Sequence, residues 1–383
     1  MKVKHYKNLF VFHPAGIGDA VLDISSIYQI INATDHNQEI HYIGNYLAKP
    51  IIELSGLKEQ IKEHYISFPL DIKSIIKLIL LRNKIDCLIV LGGMNLKKVG
   101  YLKYLLKPKF MYGSLTDDPK ECINKIVPKK KLYDFIEGPH EGMHRVQLNL
   151  LLFKKIGINA SLNLKGFDKK LVEKIPISNN LNLVLPNQYI TIHISNNIKY
   201  KTLPKEHWKR LIEDLIEKYN LPIIILGNEK EKAYCSEIIK SIPTNNIIDL
   251  LGKSDLYQTI KIISNSSIMV SIDSGLSHIA AALKIPLVSI YGPTKISQIA
   301  PLDTIGYTIN YPLECSNCYW SEKYYNCEYS RKCLSEISTN AILKAVEMTL
   351  NPLMTEDKFS QNGSVVIKIR TPKDLNTSFR YFI

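Results

Sequence analysis

In the stretch Ser271-Ile272-Asp273-Ser274-Gly275-Leu276-Ser277-His278-Ile279-Ala280-Ala281-Ala282, a strand ends at Asp273 and a helix of small residues begins at Ser274 or Gly275. The apolar run over 268–272 is short and rich in β-branched residues, as a buried strand requires. Alanines 280–282 let the helix lie close against a sheet. A further strand over 286–291 ends in Gly292-Pro293-Thr294, a second turn on the same side. In open α/β sheets ligands bind on that side, where strands give way to helices. Backbone N–H groups at the helix start, the Ser274 hydroxyl and the room left by Gly275 suit a diphosphate. Asp and Ser are equally favoured as plain N-caps. His278, one turn in, suits a core position as well as a phosphate contact.

The alternation extends outward from this stretch. Strands are predicted over 8–13, 39–44, 86–91, 189–193 and 222–226. Helices are predicted over 18–31, 74–81, 143–156, 204–219, 229–239 and 255–264, and the polar segment 165–187 reads as a linker. Regular strand–helix alternation argues parallel sheets with crossover helices. Two such blocks predict two Rossmann-like α/β domains, residues 1–175 and 176–353, followed by a tail over 354–383 with no assigned role.

The first block opens on His13-Pro14-Ala15-Gly16-Ile17-Gly18-Asp19-Ala20. Gly16 and Gly18 allow a tight turn with space for a ligand near the helix start. The dinucleotide fingerprint fails because Val21 holds its third glycine position, and no Walker A loop is present. Asp19 has two readings. It complements the helix dipole as a first-turn acid, or it is a general base. The helix start keeps such a carboxylate ionised and weakly basic, which suits an acceptor hydroxyl that loses its proton late.

With 383 residues, 45% of them apolar and 22% charged, the chain can bury two ordinary cores. No apolar run reaches membrane-spanning length. The apolar run at 9–12 is too short for a secretory signal, so the expectation is a cytoplasmic protein. The net charge of +13 is uneven, because Lys97 to Lys131 holds ten lysines against three acids. Such a segment is either a solvated face or an attractor of anionic lipid headgroups, a phosphorylated acceptor or nucleic acid.

Of seven cysteines, four cluster as Cys315-x2-Cys318-x8-Cys327-x5-Cys333, with aromatic residues between them. The leading C-x2-C suits a structural zinc, and free or variably oxidised thiols are the alternative. A catalytic zinc is not expected, since protein would fill all four positions.

Taken in order, these motifs resemble glycosyltransferase family 9, the ADP-heptose:lipopolysaccharide heptosyltransferases, over roughly residues 8–350. They are Gly16-x-Gly18-Asp19, Lys201-x-x-Pro204-x-x-x-Trp208, Leu226-Gly227 followed by Glu231, Asp273-Ser274-Gly275-Leu276-Ser277-His278, and Gly292-Pro293-Thr294. The resemblance implies a GT-B fold, two Rossmann-like domains facing each other across a cleft, with the acceptor on the first and the sugar nucleotide on the second. By position, Asp19 would deprotonate the acceptor and Lys201 would contact the donor diphosphate. Glu231, with Glu229 competing, would face the ribose, and Asp273 would bind sugar hydroxyls. Ser274, Gly275 and His278 would line the phosphate side, with Gly292 and Thr294 also on the donor.

The resemblance further implies inverting, metal-independent transfer with no required cofactor, and the chain contains no Asp-x-Asp pair. The implied partners are a nucleotide-sugar donor such as ADP-heptose and an anionic lipid-linked or oligosaccharide acceptor. A peripheral contact with the inner face of the membrane is implied as well, and no nucleic acid. Ser195-Asn196-Asn197-Ile198-Lys199-Tyr200 and Leu203-Pro204 depart from the family pattern and leave the sugar open. Two rival readings are a sugar-nucleotide epimerase of the same fold and a zinc-stapled nucleic-acid-binding protein. The second leaves both glycine turns unexplained.

Overall fold

The computed structural model describes residues 6–34, 37–92, 96–114, 133–137, 140, 142–177, 184–195, 200–243, 245–319, 321–351, 353 and 356–379. The chain forms two units, residues 1–168 with 372–383, and residues 169–371.

The first unit has strands β1 (Asn8–His13), β2 (Glu39–Asn45), β3 (Lys62–Ile66), β4 (Cys87–Val90), β5 (Phe110–Ser114) and β6 (Phe135–Glu137). They pair in the order β3-β2-β1-β4-β5-β6, all parallel. This is the doubly wound Rossmann order, and its direction reverses between β1 and β4. Helices α1 (Ile17–Ala33), α2 (Lys49–Leu54), α3 (Ile72–Leu80), α4 (Leu96–Leu106) and α5 (Arg145–Lys155) supply the crossovers and cover. Phe10, Phe12, Leu88, Val90 and Met111 form the core of this sheet. In α5 every residue from Val146 to Phe153 is buried. Its buried Asn149 is satisfied, donating to Ser26 Oγ (2.9 Å) and accepting from Ser114 Oγ (2.8 Å).

The second unit has strands β7 (Ile190–His193), β8 (Ile223–Ile225), β9 (Ile247–Asp249), β10 (Ile268–Ile272), β11 (Leu287–Tyr291), β12 (Gly306–Asn310), β13 (Lys358–Gln361) and β14 (Ser364–Lys368). Their order is β13-β14-β12-β11-β10-β7-β8-β9. The first six strands repeat the order of the first unit, and the β13–β14 hairpin is added antiparallel to β12. The helices that matter here are α6 (Lys205–Tyr219), α7 (Lys232–Lys240), α8 (Leu256–Ser264), α9 (Gly275–Ala282) and α10 (Thr339–Leu350). The stretch predicted as one helix over 229–239 begins as a 3₁₀ turn, Glu229–Glu231, because the Asn228 side chain accepts from Lys230 N–H.

The domain limits differ from 1–175, 176–353 and 354–383. The first unit keeps the start of the linker, since Lys165 N–H donates to Ser25 Oγ (3.0 Å) and Asp168 N–H to Leu54 O (2.8 Å). The tail is built into both units rather than standing apart. Phe359 and Val366 of the hairpin join the core of the second unit. The helix Pro372–Phe379 belongs to the first unit, where Leu375 is fully buried and its carbonyl accepts from Gln147 Nε2 (2.7 Å).

Candidate active site

In the first unit the site is built at the carboxyl end of β1. Gly16, Gly18 and Asp19 fall where expected, at the start of α1, and Gly16 N–H donates to Asp19 Oδ2 (3.1 Å). Asp19 Oδ1 accepts from the Arg145 guanidinium at the start of α5. Burial alone would raise the Asp19 carboxyl. The positive charge of Arg145, then His13, and hydrogen bonds from Arg145 and Gly16 N–H bring it down to about 2. Asp19 is therefore ionised throughout the physiological range. An arginine far along the chain contributes most to that lowering, where the sequence pointed to the helix start.

Beside Asp19 lies a buried polar cluster that the sequence reading missed. His13 Nδ1 sits 2.8 Å from both carboxylate oxygens of Asp23, and Tyr42 OH donates to Asp23 Oδ2 (3.1 Å). Gly92, after β4, closes the far side of the His13 ring. Its φ of +73° is left-handed, and a Cβ there would meet His13 Nε2 at 2.2 Å, so only glycine fits. Arg145 had a weak signal, being one of six arginines in a chain whose other cations are lysines.

Removing the Arg145 charge leaves burial to dominate, so Arg145→Gln should raise the Asp19 pKa. A pH profile of kcat/KM for wild type should show no acid limb from Asp19 above about pH 4. The variant should show one displaced to higher pH, and superimposable profiles would remove Arg145 from this role. The linked stability runs the same way. The carboxyl, lowered from 3.8 to about 2, contributes stability above pH 4 that is lost as pH falls through its folded value.

In the second unit four strand ends converge. Lys201 is positioned by the sequence that follows it. The Trp208 indole N–H donates to Thr202 Oγ1 (3.0 Å), and Trp208 N–H donates to Pro204 O (3.2 Å). That pins the loop to a fully buried tryptophan and accounts for the Lys-x-x-Pro-x-x-x-Trp spacing. Lys201 Nζ donates to Asp273 Oδ2 (2.6 Å), which also accepts from Thr294 Oγ1. Both members of the pair are more than 90% buried. The Tyr319 ring lies 3.8 Å from the ammonium, so the cation is held between a carboxylate and an aromatic face.

Ser274 occupies the N-cap of α9, yet its side chain makes no cap bond. Its Oγ instead meets His193 Nδ1 (2.9 Å) and Ser271 Oγ (3.2 Å). The first N–H groups of α9 are thus left without the simple Ser274 cap considered above. Gly275 is the first residue of that helix, and His278 is buried within it. His193 also places Nε2 3.3 Å from Glu231. Glu231 is buried and turned into its own loop, accepting from Asn228 N–H (3.0 Å) and Nδ2 (2.7 Å). Gly227 makes room for that carboxylate, since a Cβ would meet Oε2 at 2.4 Å. Glu229 points outward beside Lys232. At Gly292 a Cβ would meet Leu334 at 2.6 Å, so this glycine admits the cysteine-rich segment against β11. Residues 196–199 lie outside the described residues.

The cysteine-rich segment is a wall of this site. Tyr319 N–H donates to Pro293 O (3.1 Å), and Tyr324 packs edge-on against both Tyr319 and Tyr200. Cys315, Cys318, Cys327 and Cys333 are free thiols. Burial raises the Cys318 thiol and pushes that of Cys333 up to about 12. Among the described residues no three His, Cys, Asp or Glu side chains are arranged to hold a metal ion. The four thiols lie near one another, since Cys318, Cys327 and Cys315 add to burial in raising the Cys333 thiol, and the structural zinc read from their spacing stays an expectation.

Two Rossmann-like units, each with a strand-end site, give the GT-B architecture. The model of glycosyltransferase family 9 (heptosyltransferase) matches residues 137–328. The chain belongs to this family. A lipooligosaccharide heptosyltransferase 2 of Haemophilus ducreyi is 39% identical over 107 residues, which is 27% of this chain and 30% of that protein. The match therefore spans under a third of the relative's length. The E. coli ADP-heptose lps heptosyltransferase II structure superposes with TM-score 0.68 at 19% identity, covering 91% of this chain and all of that one. E. coli heptosyltransferase WaaC with ADP gives 0.62 at 16% identity, over 89% and 99%.

Proposed function

We propose that this chain is an inverting glycosyltransferase, moving a heptose or related sugar from a nucleotide diphosphate, ADP-heptose first, to a lipopolysaccharide-core or other glycan acceptor. The observation that carries this is the α9 start, free of a Ser274 cap and flanked by a buried lysine, a site built for a diphosphate. Lys201 offsets the charge that develops as the nucleotide leaves. Asp273, itself held by the Thr294 hydroxyl, fixes that lysine and presents its carboxylate to sugar hydroxyls. Ser274, Gly275 and His278 line the phosphates, and Glu231 or Glu229 meets the ribose.

In the reaction the acceptor oxygen attacks the anomeric carbon opposite the diphosphate. The bond to the leaving phosphate breaks with its electron pair, configuration inverts, and Asp19 takes the hydroxyl proton. No metal or other cofactor enters this scheme. Among the described residues no helix is long and apolar enough to cross a membrane. A lipid-linked acceptor then places the protein at the cytoplasmic face of the membrane as a peripheral component.

A panel of nucleotide sugars tests the reading. A bound donor at 100 Kd stabilises by roughly 2.7 kcal/mol, so ADP-heptose should raise Tm, and nucleotide release should require an acceptor. Conversion of the donor without acceptor would replace transfer by epimerisation. No shift with any nucleotide sugar would overturn the reading.

A further inference from the structure

An ordinary surface helix turns its apolar stripe to the core and its polar side to water; α4 buries Val99, Leu102 and Leu106 in that way, yet α3 and α4 also leave large apolar side chains on their outer side. In α3 it is Ser74 and Leu78 that are buried. Ser74 is drawn in by its hydroxyl, which accepts from Ser67 N–H (2.7 Å). Ile72, Ile76, Ile79 and Leu80 face solvent, Ile72 77% and Leu80 64% exposed. Tyr101 and Tyr104 of α4 continue the patch, 71% and 69% exposed, and the Arg82 guanidinium lies 5.8 Å from the Tyr104 ring, joining the two helices. Tyr46 and Leu47 extend it at the other end, where Lys77 Nζ donates to Tyr46 OH (2.7 Å).

The charge along the patch is positive from Ile72 to Ile85, with the exposed Asp71 capping the start of α3. Lys73, Lys77, Arg82 and Lys84 lie among the apolar residues, and no acid occurs between Ile72 and Ile85. Lys103 and Lys107 belong to α4 and its end, whereas Lys109 is paired with Asp86. The Lys97 and Lys98 side chains, and Lys120, Lys125, Lys129, Lys130 and Lys131, lie outside the described residues. Protein–protein interfaces are depleted in lysine. Exposed isoleucine and leucine mixed with lysine and tyrosine are instead the composition of a helix lying in a bilayer surface. There aliphatic side chains enter the acyl boundary and cations meet anionic headgroups.

We infer that the exposed face of α3 and α4, with Tyr46 and Leu47, docks on an anionic phospholipid bilayer. The inference rests on the membrane-side part of the proposed function alone. Transfer to a lipid-free acceptor is measured separately, so the two can fail independently.

The experiment is co-sedimentation of the full chain, without nucleotide, with phosphatidylcholine vesicles or the same vesicles carrying phosphatidylglycerol. Binding should need the anionic lipid and weaken with salt. Ile72→Ser/Ile76→Ser/Leu80→Ser should lower the partition coefficient at least about tenfold, since each buried aliphatic side chain is worth roughly that factor. Lys73→Gln/Lys84→Gln should lower it about fivefold per charge on anionic vesicles only. Ile305→Ser, at a residue 65% exposed in the second unit, should bind as wild type, and unchanged thermal melts show that all variants fold. Equal vesicle binding by wild type and the triple variant overturns the inference. So does a concentration-dependent dimer in sedimentation velocity that the triple variant abolishes, which would make the face a contact between copies.

Discussion

Asp19→Asn is expected to reduce kcat by roughly 10²–10⁴-fold while donor Kd stays within about a factor of two. The amide keeps the shape and one acceptor oxygen but cannot take a proton. Because Asp19 is held at about 2, the wild-type base is present at every working pH, and the variant has nothing to titrate in its place. The fold should tolerate the change with a small loss. Asp19 accepts from both Gly16 N–H and Arg145, and an amide can satisfy only one of them, at about 1 kcal/mol. A variant with more than a tenth of wild-type kcat would leave less than roughly 1.4 kcal/mol of the barrier to Asp19, and its role as base would be lost. A thermal melt of the same preparation separates that outcome from misfolding.

The strand-to-helix turns were legible because each carries local signals. β10 ends at Ile272, one residue before the Asp273 read from the sequence, and α9 starts at Gly275 as read, since an apolar run, a turn triplet and small helical residues sit side by side. Short strands such as β9 and β12 were missed, because three and five residues are too few to show a period. The β13–β14 hairpin was taken as tail, since its partner β12 lies about fifty residues earlier and pairing at that distance leaves no local trace. The site divides the same way. Asp19, Lys201 and Asp273 were visible as motif residues, whereas Arg145 and Tyr319 depend on contacts between distant segments and the His13–Asp23 pair on how α1 packs back on the end of β1. For α3 the period was visible but its orientation was not. Helical spacing puts isoleucines on one face, and only packing says whether that face is the inner one.

Lys201→Met should be the most destabilising of the site variants and should also weaken donor binding. Lys201 and Asp273 are both almost fully buried and 2.6 Å apart. Deleting the lysine leaves an uncompensated carboxylate inside the protein, beside Thr294, whose hydroxyl still donates to it. Breaking a buried pair from one side costs about 3–5 kcal/mol, mostly from the charge left behind, which for a unit of this size lowers Tm on the order of 10 °C. Lys201→Met/Asp273→Asn removes that charge and should recover most of the stability. It should not recover the donor, because the cation facing the leaving phosphates is still absent. The pair of variants thus separates structure from function. If the double variant remained as unstable as the single one, the loss would come from packing around Tyr319 and not from Asp273. If the double variant bound the nucleotide diphosphate as tightly as wild type, Lys201 would be a buried structural cation, and the donor phosphates would depend on the α9 start alone.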